Sequence, residues 1–132
     1  MPTLFTRIIN GELPGKFVYT DDEVVAFLTI APLTPGHTLV VPRQEIDQWT
    51  DAPPPLLLHC LDVARRIGDA AKQAFGAPRA GLVIAGLEVP HMHIHVFPAW
   101  ALEDFSFANA KQAGDDELDQ TADRLRTALG QG

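Results

Sequence analysis

The stretch Pro90-His91-Met92-His93-Ile94-His95-Val96-Phe97-Pro98 alternates imidazoles with apolar side chains between two prolines. In an extended strand successive side chains point to opposite faces. His91, His93 and His95 therefore project to one side, and Met92, Ile94 and Val96 to the other. Residues two apart on a strand lie roughly 6.5–7 Å from each other, a gap that a phosphate-sized group spans. Imidazoles gathered on a rigid element can serve as nucleophiles, proton carriers or metal ligands. The alternation predicts a strand that carries the site.

On the N-terminal side of this strand, Arg79 to Gly86 reads as another strand, joined to it by Leu87-Glu88-Val89. So short a link implies antiparallel pairing. Before it, Leu57, Leu61, Ala64, Ile67, Ala71 and Ala74 mark one stripe of a long helix, with Asp62, Arg66, Asp69 and Gln73 on its wet side. Thr50 or Asp51 is the expected cap, Pro53-Pro54-Pro55 suits a first turn, and Gly76 and Pro78 end the helix. His59 falls nearer the polar side and reads as surface. At the start, residues 3–9 have helical spacing and stop at Asn10-Gly11. Strands are expected at 16–20 and 23–29 around an Asp21-Asp22 turn, and at 37–42 after the proline-rich loop 31–36. A last helix begins near Asp115-Asp116, with Leu118, Ala122, Leu125 and Leu129 as its apolar stripe.

With 132 residues, 46% of them hydrophobic, the chain suits one soluble domain with a real core. Its net charge of −7 argues against non-specific nucleic-acid binding. The single cysteine, Cys60, cannot form an internal disulfide, which fits a reducing cytoplasm. The opening residues show no basic leader with an apolar core, and no apolar run is long enough for a bilayer. The expectation is a cytoplasmic protein without membrane or nucleic-acid partners.

The segment His91 to Phe97 resembles the signature of the histidine-triad family, histidine and apolar residues in alternation ending in two apolar positions. The likeness extends to residues 5–14, 25–32 and 35–42, and covers roughly residues 3–100 in order. The chain is similar to the branch of nucleoside phosphoramidate hydrolases and related nucleotide-binding proteins. The resemblance implies an α+β fold: an antiparallel five-stranded sheet, one long and one short helix, and here a C-terminal helical extension. By it, residues 1–100 form the family domain. Residues 101–132 form the extension, within the same globular unit, and two copies join as a homodimer.

The resemblance also assigns roles. His93 would be the nucleophile that forms a covalent nucleotidyl-histidine, His95 would hold a phosphate oxygen, and His91 would support the central ring. His37 would approach the phosphate, while Ile9, Phe27, Leu28, Thr29, Ile30, Gly86, Leu87 and Glu88 would complete the substrate pocket, with Trp100 and the segment after it close to a site, that of the same protomer or of its partner. The implied ligand is a purine nucleoside monophosphate derivative, with no cofactor. Some positions depart from the family pattern: Thr29 replaces the ribose-binding carboxylate, Ala85 an asparagine, and Leu87-Glu88 a polar pair. Where many bacterial members carry a Cys-x-x-Cys pair and a histidine for structural zinc, this chain has Thr3, Thr6 and Glu45. Folding without zinc is the expectation.

Overall fold

The structure, a computed structural model, describes residues 2–130. The helix α1 (Leu4–Ile9) opens the chain. Strands β1 (Phe17–Thr20), β2 (Val24–Leu28) and β3 (Thr38–Pro42) follow, then a 3₁₀ turn at Trp49–Asp51 and the helix α2 (Pro54–Phe75). Strands β4 (Arg79–Val83) and β5 (Ile94–Ala99), 3₁₀ turns at Leu102–Phe105 and Phe107–Asn109, and α3 (Asp115–Ala128) complete it. The five strands pair antiparallel in the order β1-β2-β3-β5-β4. This is the α+β architecture the resemblance implies.

Both faces of the central strands are covered, so β2 and β3 are buried along their whole lengths instead of alternating with solvent. Val24, Ala26, Leu28, Val40, Ile94 and Val96 face α2, where Leu56, Cys60, Val63, Ala64 and Ile67 meet them. Val25, Phe27, Leu39 and Val41 face the other way and pack on Phe5 of α1. Gly68 lets α2 approach the sheet closely: a Cβ there would lie 3.0 Å from that of Ala80. Cys60 is fully buried in this layer. Burial, helped by the carboxylates of Asp21 and Glu23, pushes its thiol up to about 11.

Several elements depart from their expected form. The buried face of α2 includes Leu56, Cys60 and Val63, whereas Leu57 and Leu61 are only partly buried. Thr50 and Asp51 do not cap that helix. They are spent in the preceding 3₁₀ turn, and Pro53 holds the N-cap position, which the two following prolines tolerate because first-turn amides need no helical partner. Helix α3 is likewise capped by Gly114 rather than Asp115 or Asp116. Those carboxylates sit in the first turn, where the helix dipole favours them, and Lys16 bridges Asp115 and Asp119 at 2.9 and 2.7 Å. Its apolar stripe, with Leu118, Ala122 and Leu125 buried, packs on α2 and β1 of its own chain. His59 is half-buried and pairs with Asp21 at 2.7 Å.

The histidine segment is extended, but the regular ladder begins only at Ile94. β4 stops at Val83, opposite His95, and residues 84–86 leave the sheet. His91 and His93 therefore lie beyond the paired part of β5. The alternation itself holds, with Met92, Ile94 and Val96 in the core under α2.

Candidate active site

On the face opposite α2, hydrogen bonds fix the tautomer of each histidine. The Leu33 amide donates to His37 Nδ1 at 3.0 Å, so His37 carries its proton on Nε2. That N–H donates to His95 Nδ1, also at 3.0 Å, which leaves the His95 proton on Nε2. His93 Nδ1 lies 2.9 Å from the carbonyl of His91 and must donate to it. Nε2 of His93 is thereby left with a free lone pair. The rings of His93 and His95 are 5.0 Å apart, so a lone-pair nitrogen and an N–H donor share one site. These assignments follow from the network, as the proton positions must.

Burial keeps these rings neutral. His37 is pushed down to about 3 by burial and by the neighbouring His95, and His95 to about 4 by burial and by His93. His93 also falls below the usual histidine range through burial, partly offset by its bond to the His91 carbonyl. A neutral imidazole is the nucleophilic form.

The histidines open onto a cleft of about 370 Å³, within the size range of small-molecule sites. His37, His93, His95, Thr29, Gly86, Leu87 and Glu88 line it, joined by Ala31, Ala85, Phe107 and Ala110. Not every residue expected at the pocket lies there. Phe27 and Leu28 are buried at 3% and 4% exposure in the two core layers, because β2 is covered on both faces. Ile9 packs with that second layer, and Ile30 points to solvent at 63% exposure. Trp100 is half-exposed, and its amide is tied to Asp104 at 2.8 Å. His91 is fully buried behind the cleft, bonded to Thr3 and to the Pro42 carbonyl.

The aromatic residue beside the histidines is Phe107, 4.9 Å from the His95 ring and edge-on to it. It arrives there because Phe105 docks on Phe97 and because the Ala113 amide bonds the Ile30 carbonyl at 2.8 Å. The pair Phe105 and Phe107, two residues apart, was the available signal. On the other side Phe5 stands edge-on to His93 at 4.8 Å. The Thr29 hydroxyl accepts from the Ala31 amide at 3.2 Å and keeps its own proton to donate.

Known proteins share this fold. The family model for the HIT domain matches residues 10–101. An uncharacterized HIT-like protein of Borreliella burgdorferi is 39% identical over 111 residues, spanning 79% of this chain and 80% of the relative. The adenylylsulfatase HINT3 of Arabidopsis thaliana is 29% identical over 92% of this chain and 64% of its own length. A zinc-bound histidine triad family protein from Mycobacterium smegmatis superposes with a TM-score of 0.82 at 31% identity, covering 97% of this chain and 93% of the other. A hypothetical histidine triad nucleotide-binding protein from Sulfolobus tokodaii gives 0.84 at 28% identity, over 96% and 91%. The chain belongs to the HIT family, a family of nucleotide-binding hydrolases and transferases.

The zinc of the M. smegmatis protein raises the question of a metal here. Thr3, Thr6, Glu45 and His91 form one cluster, but the two hydroxyls are neutral and poor zinc ligands. His91 has both ring nitrogens engaged, at 2.7 Å each. The donor set does not fit zinc. Among the described residues the one grouping of metal-type ligands is the exposed trio Asp115, Asp116 and Asp119.

Proposed function

We propose that this protein is a hydrolase or transferase that cleaves a nucleoside phosphoramidate, or a related phosphate linkage, through a covalent nucleotidyl-histidine on His93. The supporting observation is the free Nε2 of His93, with its Nδ1 proton committed to the His91 carbonyl at 2.9 Å. Attack of Nε2 on phosphorus forms an N–P bond as the bond to the leaving amine or oxygen breaks, and the leaving group takes a proton from solvent. Water then attacks phosphorus, the N–P bond breaks, its electron pair returns to Nε2, and the water's proton passes to solvent. The Nε2–H of His95, held by His37, faces the charge that develops on a non-bridging oxygen.

A purine nucleoside monophosphate derivative is the ligand class. The carboxylate of Glu88 lines the cleft and repels added negative charge, which favours a monophosphate derivative over a polyphosphate. Phe107 and Ala110 give the cleft an apolar wall beside His95. One observation favours a second reading, a nucleotide-binding module with little turnover: Thr29 offers a neutral hydroxyl already accepting from the Ala31 amide, a weaker acceptor than a carboxylate, and Ala85 offers the ribose no polar side-chain group. Incubation with an adenosine phosphoramidate separates the two. Turnover, with a nucleotidyl mass adduct on the His93 peptide, is expected, and its loss in a folded His93→Asn protein completes the assignment. Binding without turnover or adduct would leave the second reading.

The proposal includes a symmetric homodimer. β4 is an edge strand with Leu82 at 47% exposure, and beside it Leu61 and Ala64 of α2 line a shallow groove. Light scattering at micromolar protein should give twice the chain mass. The unpaired thiol supports a reducing compartment such as the cytoplasm. Among the described residues no helix is long and apolar enough to cross a membrane.

A further inference from the structure

The cluster behind the cleft is a continuous chain of hydrogen bonds. The Glu45 carboxylate accepts from the Thr3 amide at 2.8 Å and from the Thr6 hydroxyl at 2.6 Å. His91 Nε2 lies 2.7 Å from the Pro42 carbonyl and must donate to it, so Nδ1 is an acceptor. The Thr3 hydroxyl, 2.7 Å away, therefore gives its one proton to His91. The same Thr3 oxygen accepts from the Thr6 amide at 3.2 Å and so caps α1. From His91 the chain continues through its carbonyl to Nδ1 of His93. One residue past Glu45, the Ile46 carbonyl accepts the Met92 amide at 2.7 Å. Phe5, on the same short helix, lies edge-on to both His91 and His93.

We propose that Thr3, Thr6 and Glu45 form a metal-free clamp that seats the His91 ring, whose tautomer the Pro42 carbonyl sets, and through the His91 carbonyl positions His93. The inference rests on the reading of His93 as the reacting group. Each member acts on that ring through another, so these are positioning residues. The clamp occupies a place where a histidine-triad protein with cysteine and histidine donors would take zinc, and it does the orienting work with hydroxyls and a carboxylate instead. At metal sites a second-layer partner holds the orientation of a ligand ring, and its loss typically lowers activity about ten- to a hundredfold; an effect of the same order is expected for this clamp.

The test uses the full untagged chain, with ¹⁵N-labelled imidazoles read by NMR and turnover read separately. In the wild type, His91 should show a single Nε2–H tautomer and His93 a single Nδ1–H tautomer. Thr3→Val should leave the His91 tautomer with Pro42, but shift and broaden its Nδ1 signal as that hydrogen bond is lost, and shift or broaden His93 with it. The kcat for the phosphoramidate should fall about ten- to a hundredfold with little change in KM. Thr3→Ser should restore both readouts, which a general packing defect would not allow. Should Thr3→Val fail to fold, Glu45→Ala removes the far anchor from an exposed position, and the same signal shifts at His91 and His93 are expected in weaker form. A folded variant with wild-type His91 and His93 spectra overturns the clamp. So does zinc at about one ion per chain after growth in zinc-supplemented medium. Wild-type protein without turnover, but with the Thr3-dependent shifts at His91 and His93 intact, retains the clamp and discards the hydrolase reading.

Discussion

Acidification from near pH 7 to near pH 5 should destabilise the fold, because the cleft histidines stay neutral when folded and gain a proton when unfolded. His37 is held at about 3 against an ordinary 6.5. A group whose folded pKa is depressed makes the unfolded chain bind more protons between the two values, so stability falls as pH falls through the unfolded pKa. For His37 the loss near pH 5 is about 2 kcal/mol, from 1.36 kcal/mol per pH unit. His95, at about 4 but partly open to the cleft, contributes about 1 kcal/mol once solvent screening is allowed for. His93 adds in the same direction. The fold should therefore lose on the order of 3 kcal/mol across this window, a large fraction of a typical domain's stability. Carboxylates do not confuse the result, since Asp21, Glu45 and Asp62 are held below their usual range and change only at lower pH. Urea unfolding at a series of pH values, analysed by linear extrapolation, measures it. His37→Gln should flatten the curve by about the share assigned to His37. Equal stability at both pH values, or a His37→Gln curve as steep as the wild type, would refute buried neutral imidazoles as the cause.

Three other outcomes follow from named contacts. Gly81→Ala places a methyl 2.7 Å from both Phe97 and Phe105. Because Phe97 is fully buried, Phe105 must yield; a loss of about 1–3 kcal/mol in urea unfolding is expected, with Phe107 moved off His95 and weaker nucleotide binding by calorimetry. Asp21→Asn should cost about 1–3 kcal/mol near neutral pH and remove part of the acid sensitivity below pH 4. Burial raises that carboxyl, but Tyr19, the Glu23 and Val24 amides and His59 outweigh it, so its stabilising effect is present above the ordinary carboxylate range and lost as pH falls through the depressed folded value. The acid limb of kcat/KM against pH should lie below the ordinary histidine value of 6.5, since burial lowers His93. A limb at or above that value would contradict the neutral, buried nucleophile.

The sheet was legible because strand periodicity and turn residues agreed: Asp21 accepts the Glu23 and Val24 amides in the expected turn, and β2 and β3 lie within a residue or so of their predicted bounds. The phase of α2 was not. Leu56, Leu57 and Leu58 are consecutive, so three phases fit the pattern equally, and only packing under the sheet decides for Leu56 and leaves Leu58 at 65% exposure. The triad histidines were readable as a group from their alternation, yet their tautomers depend on Leu33 and Pro42 and the seating of His91 on Thr3, which no local pattern links to them. Phe107 was legible only as part of the segment after Trp100, for the same reason. Residues 100–114 have no period, and its place beside His95 is set by the docking of Phe105 and the bond from Ala113 to Ile30.

The lone thiol of Cys60 gives the protein a built-in reporter. It sits with no exposed surface between α2 and the sheet, and at about 11 almost none of it is thiolate near neutral pH. An alkylating reagent can reach it only during excursions that lift the helix from the strands, so the labelling rate counts those excursions. A nucleotide bound on the opposite face stabilises the native state by mass action and should slow labelling in proportion to its occupancy. The reactivity of one side chain thereby measures ligand affinity with no dye, no tag and no knowledge of the reaction.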